Sequence, residues 1–155
     1  MNKRERISDF VRSMGSASAD EDYYAAFFSL WNKRRYYEAH DVLEQLWLAE
    51  RDPISARFYQ ALIQAAGAFV HLQKNFEHPS HPKHGRRLRP AWRLFELALN
   101  NLDDLPEVFR ALNIVSLRQI LVRFRDEISG SDYERNPWSP ETAPHLSLSL
   151  GGHPG

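Results

Sequence analysis

The sequence predicts an all-α protein: a single-domain helical bundle of about five to seven helices with an extended C-terminal tail. Three observations carry this. Apolar residues recur at intervals of three and four through successive segments, Gly, Pro and Asp clusters separate those segments, and no period-two pattern occurs before Leu146, Leu148 and Leu150. At 155 residues the chain is long enough to bury a real core as one domain. We divide it into an N-terminal helix and linker (1–19), a helical bundle (20–130) and the tail (131–155).

The N-terminal segment carries Ile7, Phe10, Val11 and Met14 at helical spacing, and Gly15-Ser16-Ala17-Ser18 ends it. Asp20, Glu21 and Asp22 suit the positive end of the next helix dipole, and Tyr23, Tyr24, Phe27, Phe28 and Trp31 give that helix an aromatic face. After a turn at Asn32-Lys33-Arg34-Arg35, the run Tyr36 to Trp47 has Ala39, Val42, Leu43, Leu46 and Trp47 on one broad face. His40 and Glu44, four apart on the edge of that face, are expected to touch. Glu38 falls on the opposite edge, and Asp41 and Gln45 are expected to point to water.

The helix expected over about Ile54 to Lys74 is apolar almost all the way round, which places it in the middle of the bundle. Its one polar line is Gln60, Gln64, Gly67 and His71. A long loop from Asn75 to Pro90 carries His78, His81 and His84, then Arg86, Arg87 and Arg89. Pro90 suits a first helical turn, and Ala91, Leu94, Phe95, Ala98, Leu99 and Leu102 continue the helix to about Asp103. A short helix is expected around Val108, Phe109 and Leu112. The final helix, opened by Ser116 and Gln119 as a capping box, carries Leu117, Ile120, Leu121, Phe124 and Ile128 up to Gly130.

Composition narrows the chemistry. No cysteine is present, so disulfides, thiol nucleophiles and Cys-ligated metals are excluded. Twenty basic and twenty acidic residues cancel, leaving no whole-molecule field for nucleic acid or an anionic membrane. Neither a signal-peptide pattern nor a membrane-length apolar run occurs, and a cytoplasmic location is expected.

Trp31-Asn32, Tyr36-Tyr37-Glu38-Ala39-His40-Asp41-Val42-Leu43-Glu44 with Leu46-Trp47, and Phe58-Tyr59-Gln60-Ala61-Leu62-Ile63-Gln64 with His71 closely resemble the family catalogued as domain of unknown function 309. The resemblance spans about residues 28 to 103 and implies a small all-helical bundle. It implies fold more than function, since members generally lack an established activity. Asp41 stands where the pattern usually has Glu, Ala61 where it has Gly, and Trp31 where it has Phe. The His- and Pro-rich loop replaces a short Gly-Asn turn.

Two functional readings follow. In one, the His40 and Glu44 edge faces Gln60, Gln64 and His71, forming an inter-helix polar site for a small ligand or a divalent metal held by His40, Glu44 and His71, with hydrolysis as the natural reaction. Glu38, Asp41 and Trp47 are secondary candidates there. In the other, the chain is a non-enzymatic binding or scaffold protein. Its polar residues then form a structural network, and Lys83, Arg86, Arg87, Arg89 and Arg93 beside Trp92 contact an anionic partner. A homo-oligomer is compatible with either, and a solvated His loop is expected over a metal-binding one. Nucleic acid and membrane partners are not expected.

Overall fold

The computed structural model describes residues 5–7 and 19–149. Five helices follow in order: α1 (Ala19–Asn32), α2 (Tyr36–Ala49), α3 (Pro53–Glu77), α4 (Leu88–Leu102) and α5 (Ile114–Gly130). Residues 5–7 are helical as well; the rest of the expected N-terminal helix lies outside the described residues. Among the described residues the fold is all-α apart from one small hairpin, β1 (Val108–Phe109) and β2 (Leu112–Asn113).

Helix α3 is the centre, as its nearly continuous apolar surface requires. It packs between α2 and α4, with α1 against α2 and α5 against α4. Phe69, fully buried on α3, is the hub. Its ring makes edge contacts with Trp31 (5.0 Å), Phe95 (5.3 Å) and Phe124 (5.0 Å) and stacks on Tyr36 (5.3 Å), so one side chain joins all five helices.

Local chemistry sets the boundaries. The turn after α1 places Arg34 at φ 60°, and its carbonyl accepts from Gln73 Nε2 of α3 at 3.0 Å. Asp52 caps α3 by accepting from the Ser55 N–H at 2.9 Å, with Pro53 first in the helix. Asn113, rather than Ser116, caps α5: its side chain accepts from the Ser116 N–H at 2.9 Å.

The segment 108–113 corrects an expectation. It is a hairpin, not a short helix, and Arg110 (φ 47°) and Ala111 (φ 64°) form its turn. Two successive left-handed residues match the right-handed strand twist. Neighbours hold this unfavourable geometry in place: Tyr24 Oη donates to the Arg110 carbonyl at 2.9 Å, and the guanidinium lies over the rings of Tyr24 and Tyr59 at 5.2 and 5.4 Å.

The described part of the tail, 131–149, lies against the bundle and runs extended from 143, as expected of the leucine alternation, after turns at 131–133 and 140–142. Asn136 donates to the Leu72 carbonyl (2.7 Å) and Asn75 Oδ1 (3.0 Å), joining the tail to the end of α3. Trp138 is buried and its Nε1 donates to Tyr36 Oη at 3.1 Å.

Candidate functional site

The polar line of α3 faces α4. Gln64 Oε1 accepts from Asn101 Nδ2 at 2.8 Å. A Cβ on Gly67 would come within 3.2 Å of Leu94 Cδ1, so glycine lets the two helices approach closely. His71 Nδ1 lies 2.9 Å from Arg87 Nη1, beside the start of α4. Gln60 lies half-buried one turn before Gln64. The expected pairing of Gln64 and His71 with α2 is therefore replaced by pairing with Asn101 of α4 and with Arg87 just before it.

On α2, His40 Nδ1 lies 3.2 Å from Asp41 Oδ1. Asp41 is only 7% exposed, contrary to the expectation that it points to water. Periodicity placed it outside the apolar face, but residues from the N-terminal segment add a second wall. Arg6, the buried Ile7, Tyr37, Glu38 and Asp41 line a cleft of about 370 Å³. Glu38 is exposed and ion-paired with Arg35. Glu44 and Trp47 are half-buried. Among the described residues no three His, Asp or Glu side chains form a group able to hold a metal ion, so His40, Glu44 and His71 do not converge as a ligand set.

The His loop is exposed over residues 78–83 and carries local hydrogen bonds of its own. His81 Nδ1 accepts from the backbone N–H of Lys83 (3.0 Å) and His84 (3.1 Å), and its ring stacks on His84 at 4.4 Å. A Cβ on Gly85 would meet the Pro79 carbonyl oxygen at 2.5 Å, a close approach that only glycine permits. Arg87, expected on the anion-binding surface, is instead used internally: Nε donates to His84 Nδ1 at 2.9 Å while Nη1 donates to His71. Burial, then the charges of Arg87 and Lys74, lower the His71 pKa to about 4. The ring is neutral at pH 7, which is the state that can accept from Arg87.

The remaining cations differ. Lys83, Arg86, Arg89 and Arg93 are exposed, and residues 78–95 contain no Asp or Glu. Arg89 and Arg93 line a cleft of about 370 Å³ with Pro90, Trp92 and Tyr133. The Arg89 guanidinium sits 4.0 Å over the Tyr133 ring, which meets Trp92 edge-on at 6.1 Å. Tyr133 reaches this place because the chain leaves α5 through two left-handed residues, Asp132 (φ 57°) and Tyr133 (φ 62°). Its N–H is held by the Ile128 carbonyl at 2.9 Å. The sequence reading missed Tyr133, which is 41 residues from Trp92 and carries no motif. Its only signal was an aromatic residue just beyond the helix-ending Gly130-Ser131.

Among the described residues no helix is long and apolar enough to cross a membrane. Comparison with known proteins agrees with the motifs: residues 24–80 match the model of a domain of unknown function (DUF309). An uncharacterized protein of Aquifex aeolicus (strain VF5) is 26% identical over 107 residues, covering 69% of this chain and 28% of that protein's length. The chain thus spans little more than a quarter of that relative. No solved structure matches the chain.

Proposed function

We propose that this chain is a non-enzymatic binding module. Its interior polar line is a structural network, and its exposed basic cleft at the start of α4 takes an anionic partner. The observation that carries the reading is the contrast in partners. Gln64 and His71 are bonded within the protein, whereas Arg89 and Arg93 have no carboxylate in ion-pair range among the described residues and flank two aromatic rings.

That combination suits a partner bearing phosphate or carboxylate groups. Two guanidinium forks offer bidentate hydrogen bonds, and the ring faces of Trp92 and Tyr133 provide an apolar floor. The left-handed Tyr133 supports the same reading, because backbone conformations of this kind persist where the surroundings hold them and they concentrate at binding sites. The zero net charge favours a local contact with a small or discrete anionic group over a long polyanion.

Titration of the full chain with tripolyphosphate and with polyglutamate, followed by tryptophan fluorescence at low ionic strength, tests this. Saturable binding that weakens with salt and disappears in the Arg89→Glu, Arg93→Glu double variant is the expected result. Binding that survives the double charge reversal, or no binding at low salt, overturns the reading.

A further inference from the structure

The end of α1 and the hairpin form a groove, and the chain's own tail fills it. Trp31 Nε1 donates to the Pro144 carbonyl at 3.0 Å. Asn32 grips one residue from both sides: Nδ2 donates to the Leu146 carbonyl at 2.7 Å, and Oδ1 accepts from the Leu146 N–H at 2.8 Å. Leu148 forms an antiparallel bridge with Leu112, and the Ser149 N–H donates to the Ala111 carbonyl at 2.7 Å. The Asn32 side chain gives Leu146 the donor and acceptor that an opposing strand residue would supply.

We propose that this groove is a recognition site for an extended peptide of the pattern Pro-x-Leu-x-Leu, occupied in cis by residues 144–148, and that a separate segment of that pattern enters it in trans when the tail releases. The recognition is directed at main chain. Every hydrogen bond from the groove to residues 144–149 ends on a backbone atom of the tail, so affinity depends on extended conformation, and side-chain pockets set specificity. The pocket is filled by Leu146, 4% exposed. Pro144 and Leu148 are half-buried on the same side, while His145, Ser147 and Ser149 face solvent, as period-two geometry requires.

The tail is also built to detach without unfolding the bundle. Pro140, Glu141 and Thr142 are exposed, and the turn they form is closed on itself: Ser139 and Thr142 bond to each other through side chain and backbone. Beyond it, residues 144–149 belong to no helix and are held by four hydrogen bonds to the groove, so release requires that they open at a free energy below that of global unfolding. Trp31 and Asn32 lie inside the matched segment 24–80, whereas the occupant lies outside it. The α1 half of the site and its ligand therefore come from separate parts of the chain, and the hairpin half lies outside the matched segment with the ligand.

The test keeps the full chain. Leu146→Asp weakens the cis occupant while leaving the groove intact, and a fluorescent peptide of residues 143–149 is titrated into this variant. Saturable binding is expected, about tenfold weaker when Asn32→Ala is added and lost when the peptide itself carries Asp at the central leucine. Absence of binding to the folded Leu146→Asp chain overturns the proposal. Hydrogen exchange of the unaltered chain decides independently, including where that variant fails to fold. A Leu146 amide that exchanges through an opening smaller than global unfolding supports the proposal, and one that exchanges only with the slowest core amides overturns it.

Discussion

The polar line of α3 lies in its contact with α4 and the basic rim lies exposed at the head of α4, yet they make opposite use of polar residues. On the line, Gln64 meets Asn101 and neutral His71 meets Arg87, so the groups offered as ligands are already ligated by the protein. On the rim, Arg89 lies over the Tyr133 ring, Arg93 lines the same cleft, and both are exposed. A polar residue between packed helices must find its partner at home, because an unpaired group there costs about 1–3 kcal/mol. A charge on the rim carries no such requirement and can be kept for something outside.

Three perturbations break or sharpen this contrast. The largest effect belongs to the shared core: Phe69→Ala should lower unfolding stability by about 3–5 kcal/mol while leaving anion affinity of the folded fraction unchanged, measured by urea denaturation beside the fluorescence titration. Next, Asn101→Ala removes the donor to the half-buried Gln64 and should cost about 1–2 kcal/mol, again without affecting the rim. Loss of anion binding in that variant would show that line and rim are one site.

The smallest effect is pH-dependent. The folded pKa of His71, about 4, lies below its ordinary 6.5, so between these values the unfolded chain binds the extra proton. The contribution of the neutral, Arg87-bonded ring is complete above pH 6.5 and is lost as pH falls towards 4. Denaturation midpoints should drop across that window, and His71→Gln should flatten the drop. Equal slopes for both proteins would remove His71 as the source.

Much of the architecture was legible because helical periodicity reports burial directly. The all-round apolar surface of α3 announced its central place, Pro90 its helix start, and the leucine alternation from Leu146 the extended tail. The polar line was also legible as a line, but the element it faces was not. Choosing between α2 and α4 depends on how α3 is rotated between its neighbours, and its all-round hydrophobicity blurs that rotation. Asp41 was misread for a related reason: one helix's pattern cannot show a second wall contributed by Ile7, more than thirty residues earlier. At 108–113 the spacing of Val108, Phe109 and Leu112 imitates one helical turn, and the hairpin's turn residues, Arg110 and Ala111, are not those that usually announce left-handed backbone. Arg87 looked like its basic neighbours in sequence, and only its distances to two imidazoles separate it from them.

The bonds from Trp31 and Asn32 to the tail join residues 113 and 114 positions apart. During synthesis at about 5–20 residues per second, Trp31 and Asn32 are made first and the hairpin completes the groove on the order of a few seconds before the segment that fills it. For that interval α1 offers a strand-like edge and an empty leucine pocket to whatever extended chain is nearby, including other nascent copies. The order of elements along the chain therefore gives the molecule a brief open phase at birth that the mature fold keeps closed.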